Sequence, residues 1–291
     1  MRLWLVLAVV ACGKDAAPPP APAPPARPAP APADAAPAPA AAATSYPDLA
    51  AALHAIIPAD ARVIGFGELH ARTDRATVRS ALSRFTADAL PAIGDQLSDL
   101  VVETWLVDPK CGSQAVEATA KIAITTRRPT ETKSEIAQLA DAARAKQIQP
   151  HAMRIGCADY AKIAPKGKDV DVEAMLTLTT RELGRIASEA VVHRDKEPQH
   201  RPWIAVYGGA LHNDRFPDKA VADWSYAAKL DALTHDHFVE IDLIVPELAE
   251  ADPASQKQPW FPLVGKADAK TVQVYQRGER SFVVIVPRTT P

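Results

Sequence analysis

Three short stretches carry residue types able to move protons or hold a cation: Gly67-Glu68-Leu69-His70, Glu103-Thr104, and Gly208-Gly209-Ala210-Leu211-His212. Each follows an apolar run, at residues 63–66, 100–102 and 203–207. Together Glu68, His70, Glu103 and His212 offer a mixed nitrogen and oxygen shell for Zn, Mn, Co or Fe. An open position on such an ion would let a bound water lose its proton near neutral pH. Without an ion, His70 or His212 serves as general base while Glu68 or Glu103 orients the ring or activates water. If the backbone stays extended beyond Phe66, Glu68 and His70 point to one side and Leu69 to the core. Gly67 and Gly209 are expected to permit the backbone turns by which the strands leave the sheet. Glu103 ends an apolar strand, where a carboxylate needs a cation or hydrogen-bond donors. A buried ion-pair network is the structural alternative for the same four residues. The chain has no H-E-x-x-H, Walker loop, dinucleotide fingerprint or nucleophile elbow to compete with them.

Positioning these groups requires strands that end together. Residues 62–66, 100–103, 149–155, 203–207 and 238–245 read as strands, and 271–275 with 281–286 as a closing β-hairpin. Helical spacing occupies a segment capped at Ser45, with Pro47 in its first turn and Leu49, Leu53, Ile56 and Ile57 on one face, a segment capped by Thr73, and residues 115–125, 131–146 and 170–193. The alternation predicts a single α/β domain with a mostly parallel central sheet flanked by helices and a C-terminal β-hairpin. In such sheets ligands bind in the crevice outside the carboxyl ends of the strands. That is where all three stretches fall.

Residues 45–291 carry the domain, with 30 basic and 33 acidic residues and no block of Lys or Arg. Phosphate-backbone affinity comes from clustered cations, so no nucleic-acid partner is expected. Residues 1–11 have a basic start and a short apolar run, which is a secretory signal. The Val9-Val10-Ala11-Cys12 ending resembles a bacterial lipobox, making Cys12 the expected lipid anchor and the membrane a partner through it. Of residues 16–43, 11 are Pro and most others Ala, so 12–44 are expected to be a tether too poor in apolar variety to pack. The expected address is the bacterial cell envelope, on the outer membrane because no Asp follows Cys12. Export leaves Cys111 and Cys157 as an even pair, either a disulfide or two buried thiols.

The stretches at residues 63–70, 101–103 and 205–212 resemble the superfamily of Tiki proteases, TraB proteins, erythromycin esterases and ChaN-like haem-uptake lipoproteins. Tiki and TraB members pair two Gly-x-x-His motifs with a Glu on an intervening strand; here those are Gly67, His70, Glu103, Gly209 and His212. The resemblance implies a hydrolase of peptide or ester bonds, metal-dependent as in Tiki proteases or metal-free as in erythromycin esterases. The ChaN-like branch implies haem instead, and a non-catalytic binding module is the third reading. The superfamily often adds an Arg to the site. Arg154 is the candidate for it, with Arg72 and Arg215 as alternatives, and Tyr207 and Tyr160 are the tyrosines near strand ends. The implied partner is a small-molecule or peptide substrate, or haem.

Overall fold

Apolar runs become strands where both faces can be covered. The computed structural model describes residues 43–197 and 201–289. It contains β1 Thr44–Tyr46, β2 Val63–Glu68, β3 Leu97–Val107, β4 Gln149–Ile155, β5 Trp203–Gly209, β6 Phe238–Ile244, β7 Val272–Gly278 and β8 Ser281–Ile285. They form one eight-stranded sheet in the order β1-β7-β8-β6-β2-β5-β3-β4. From β8 to β4 neighbouring strands are parallel, and β7 and β1 close one edge antiparallel. Every residue of β2, β5 and β6 is buried, as expected of central parallel strands.

The α-helices of the described residues are α1 Leu49–Ile56, α2 Ala81–Arg84, α3 Leu90–Ile93, α4 Gly112–Thr126, α5 Thr132–Ala145, α6 Cys157–Ile163, α7 Val172–Arg194, α8 Ala227–Leu233, α9 Pro246–Ala249 and α10 Phe261–Val264. They cover the sheet on both sides. Along β2 and β5 the side chains alternate between two cores. Ile64, Phe66, Ala205 and Tyr207 pack with Leu53, Phe85, Leu90 and Leu139 from α1, the α2–α3 segment and α5. Val63, Ile204 and Val206 pack with Ala115, Tyr160, Leu183 and Leu230 from α4, α6, α7 and α8. The architecture is α/β, a mostly parallel sheet between helical layers with a C-terminal antiparallel strand pair, as the sequence predicts.

Three local differences have physical causes. Thr44, assigned to the tether, and Ser45, expected to cap the first helix, lie in the edge strand β1, whose three residues are too few to show a period, and Asp48 caps α1 instead. The helix expected from Thr73 is only a 3-10 turn at Thr73–Arg75. The α-helix starts at Ala81, where the Ser80 side chain accepts the Ser83 N–H at 2.9 Å. The short helix α6 was not expected. The signal peptide, Cys12 and the rest of the tether lie outside the described residues. Among those described, no helix is long and apolar enough to cross a membrane.

Candidate functional site

The carboxyl ends of β2, β3 and β5 lie side by side, and the four expected residues meet there. Glu68, the last residue of β2, is 7% exposed. Its Oε1 takes a hydrogen bond from His70 Nδ1 at 2.7 Å, and its Oε2 takes the Tyr207 hydroxyl at 2.5 Å. The expected pairing across Leu69 is therefore present. Tyr207 is pinned on β5 with its ring 4.8 Å from that of Phe85. Burial and the Glu68 charge push its phenol well above the ordinary 10.0, so it stays a donor.

Glu103 does not end its strand as expected: β3 runs on beside β4 to Val107, and Glu103 lies where β3 parts from β5. Pairing with β5 ends at Val102, and the register with β4 shifts between Val102 and Trp105, so Glu103 sits on an irregularity that swings it over β5. There Oε2 accepts the Gly209 N–H at 2.7 Å and Oε1 accepts from Arg128 Nη2 at 2.7 Å. His70 Nε2 lies 3.5 Å from Oε1 and His212 Nε2 lies 4.0 Å from Oε2. Burial raises the Glu103 carboxyl, but His70 and Arg128 outweigh it and hold the group well below 4.5. For His70, burial and Arg128 press downward, yet Glu103 and Glu68 prevail and its pKa is raised above 6.5.

His212 is 3% exposed. Thr180 on α7 donates its hydroxyl to the Trp224 carbonyl at 2.8 Å, which leaves its oxygen to accept His212 Nδ1–H at 2.7 Å. The ring is thereby the Nδ1–H tautomer with the Nε2 lone pair turned toward Glu103. Burial lowers its pKa, so it is neutral.

The glycines serve a different purpose from the one expected. Gly67 and Gly209 lie inside strands without positive φ. What they supply is clearance. A Cβ on Gly67 would stand 2.2 Å from Asp242 Oδ1, and one on Gly209 would stand 3.0 Å from His70 Nε2. Gly208 has the same role, with Glu103 Oε2 at 2.8 Å from an added Cβ.

The arginine in the site is Arg128, not Arg154. Arg154 is exposed on the edge strand β4. Arg72 pairs with Asp74 at 3.0 Å and Arg215 with Asp231 at 2.6 Å. Arg128 follows the left-handed Arg127 that ends α4, and the Arg127 carbonyl accepts the Thr73 N–H at 2.9 Å, tying this loop to the one after β2. Its Nη2 contacts both Glu103 Oε1 and His70 Nε2, while its buried Nε has no acceptor. Sequence periodicity gives no signal for a loop residue of this kind. Thr180 and Glu135 are equally silent; Glu135 lines the crevice and accepts the Ser80 hydroxyl at 2.9 and 2.8 Å.

Arg128 bears on the metal. An ion held by His70 and Glu103 would have to lie between Nε2 and Oε1, and a guanidinium nitrogen already contacts both atoms. The four residues as arranged do not fit a divalent cation. Among the described residues the His, Cys, Asp and Glu side chains with ligand spacing are Asp108, Cys111 and Cys157. Their two sulfurs are joined in a disulfide, with Cα atoms 5.1 Å apart, that fastens the start of α4 to that of α6. Haem fits no better. The crevices at the site hold about 10 Å³ each, far below the roughly 300–1,000 Å³ of drug-sized pockets. The Tyr207 hydroxyl is engaged by Glu68 at 2.5 Å, and the residue, although it lines one crevice, is 2% exposed.

No family model matches the chain, and no curated protein matches it. Among solved structures, that of the type III effector HopBA1 is similar, with a TM-score of 0.41 and 15% identity, covering 82% of this chain and 93% of that one.

Proposed function

We propose that the domain is a hydrolase acting on a small ester or peptide bond through acid–base chemistry of its own side chains, without a step through a metal. The observation that carries this reading is the chain Tyr207–Glu68–His70, which ends on an imidazole whose Nε2 faces Arg128 at a crevice. His70 is the most accessible of the four acid–base residues, its side chain 30% exposed. Glu68 fixes the Nδ1–H tautomer, so Nε2, which accepts from Arg128 Nη2 in this structure, takes a proton from water once water displaces that contact. The imidazolium that forms lies between Glu68 and Glu103, the carboxylates that raise its pKa. Arg128, its side chain 24% exposed, supplies positive charge beside the oxygen on which negative charge develops. His212, neutral and oriented by Thr180, is the second proton acceptor across Glu103.

The test is hydrolysis of a panel of chromogenic esters and short peptides by the full chain. His70→Ala and Glu68→Gln are expected to lower kcat by about 100-fold or more, with the unfolding midpoint of His70→Ala nearly unchanged. Loss of stability in His70→Ala, with no turnover in the wild type, would overturn the reading in favour of a structural network. The address is proposed with it: a signal at 1–11, an acylated Cys12, and an oxidising envelope compartment consistent with the Cys111–Cys157 disulfide. Mass spectrometry of the mature N-terminus tests it.

A further inference from the structure

We infer a second ligand site, for a small oxyanion, in a cavity of about 630 Å³ between the start of α1, the α2 segment and the chain following β8. It shares no residue with the crevice above, so it stands independently of the hydrolase reading. The side chains of Arg79, Arg84, Lys270 and Arg288 line it, against Asp48 and Asp88.

The acids are already engaged. Asp88 pairs with Arg79 at 3.2 Å, and Asp48 caps α1 by accepting the Ala51 N–H at 2.7 Å. Arg288 is paired with Glu250 at 2.5 Å. Arg84 is the exception. It is 5% exposed, yet its guanidinium donates only to neutral oxygens, from Nε to the Arg79 carbonyl at 3.4 Å and from Nη2 to Thr289 Oγ1 at 3.1 Å. Among the described residues no carboxylate comes within 4.0 Å of it. Glu247 acts on it from farther away, with Oε1 accepting the Thr289 N–H at 2.7 Å and Oε2 unpartnered. Lys270, exposed at the rim, forms no ion pair among the described residues either.

Burying a guanidinium on neutral acceptors is unfavourable, and the neighbouring Arg79 charge adds repulsion. An oxyanion in the cavity relieves both. Arginine forks bind phosphate or carboxylate oxygens in pairs, and Lys270 adds a point charge at the mouth. Phosphate is the chemistry that fits, whether as a free monoester or as the phosphodiester of a lipid headgroup.

The experiment is isothermal titration of the full chain with inorganic phosphate at constant ionic strength, with glycerophosphoglycerol as the soluble diester. Saturable phosphate binding is expected, weakened about tenfold in Arg84→Gln and severalfold in Lys270→Ala. Lys270→Ala keeps the test valid if Arg84→Gln fails to fold, because Lys270 is exposed. Tighter binding of inorganic phosphate supports a free phosphate ligand, and tighter binding of the diester a headgroup. No saturable binding of either by the wild type, or equal affinity in a folded Arg84→Gln and in Lys270→Ala, overturns the site.

Discussion

Tyr207→Phe removes one oxygen from the best-defined chain in the site. The ring keeps its place beside Phe85 at 4.8 Å, so packing changes little and the effect isolates the hydrogen bond to Glu68. That bond is 2.5 Å long, its acceptor is a carboxylate, and both residues are buried. Hydrogen bonds to charged groups contribute about 1.5–3 kcal/mol, and a buried oxygen left without a donor keeps its desolvation cost. The expected destabilisation is therefore about 2 kcal/mol, or roughly 4–8 °C in midpoint for a domain of this size. Urea unfolding of the wild type, Tyr207→Phe, Glu68→Gln and the double variant gives the coupling directly, expected at about 1 kcal/mol or more. A coupling near zero, with Tyr207→Phe as stable as the wild type, would refute the claim that the phenol holds Glu68. It would also remove the reason for treating Glu68 and His70 as an oriented pair.

Other consequences are as direct. Gly209→Ala sets a Cβ 3.0 Å from His70 Nε2, so turnover is expected to fall at least about tenfold while circular dichroism stays unchanged. Thr180→Val removes the nearer of two acceptors for His212 Nδ1–H and leaves the Trp224 carbonyl at 3.2 Å, so nitrogen NMR of the ring is expected to show a weakened preference for one tautomer, with Thr180→Ser restoring it. A chelator is expected to leave hydrolysis intact, because Arg128 takes the ion's place; full loss, rescued by Zn or Mn, would contradict that. Glu103 titrates well below 4.5 in the folded state, so the stability it adds is present above its unfolded value and disappears as pH falls through the folded one. Glu103→Gln should therefore flatten the acid side of the stability profile, read by thermal unfolding between about pH 2 and 5.

Strands β2, β5 and β6 were legible because their apolar runs are continuous, and a strand buried on both faces must have that composition. The site residues were legible for the same reason, since a Glu or His soon after such a run breaks the apolar pattern and, if buried, needs a polar partner. This is how Glu68, His70, Glu103 and His212 came together from positions up to 144 apart in the numbering. β1 was not legible, because three residues, two of them exposed, carry no period. Nor was the purpose of Gly67 and Gly209, because clearance depends on what stands opposite, and Asp242 and His70 reach those positions through tertiary packing.

Arg128 shows why the same acids and imidazoles can be read in two chemistries. A cluster of two carboxylates and two histidines needs a cation, and the motif residues alone do not say which. Here the cation comes from the turn after α4, 25 residues from Glu103 and 58 from His70. That turn is held by a backbone hydrogen bond to the loop after β2, not by any pattern local to Arg128. A metal ion would make water acidic, whereas a guanidinium leaves proton removal to His70 and contributes only charge and donors. The choice between the two mechanisms thus rests on one loop residue outside every motif, and replacing Arg128 with Ala is the variant in which a divalent ion would first find room between His70 and Glu103.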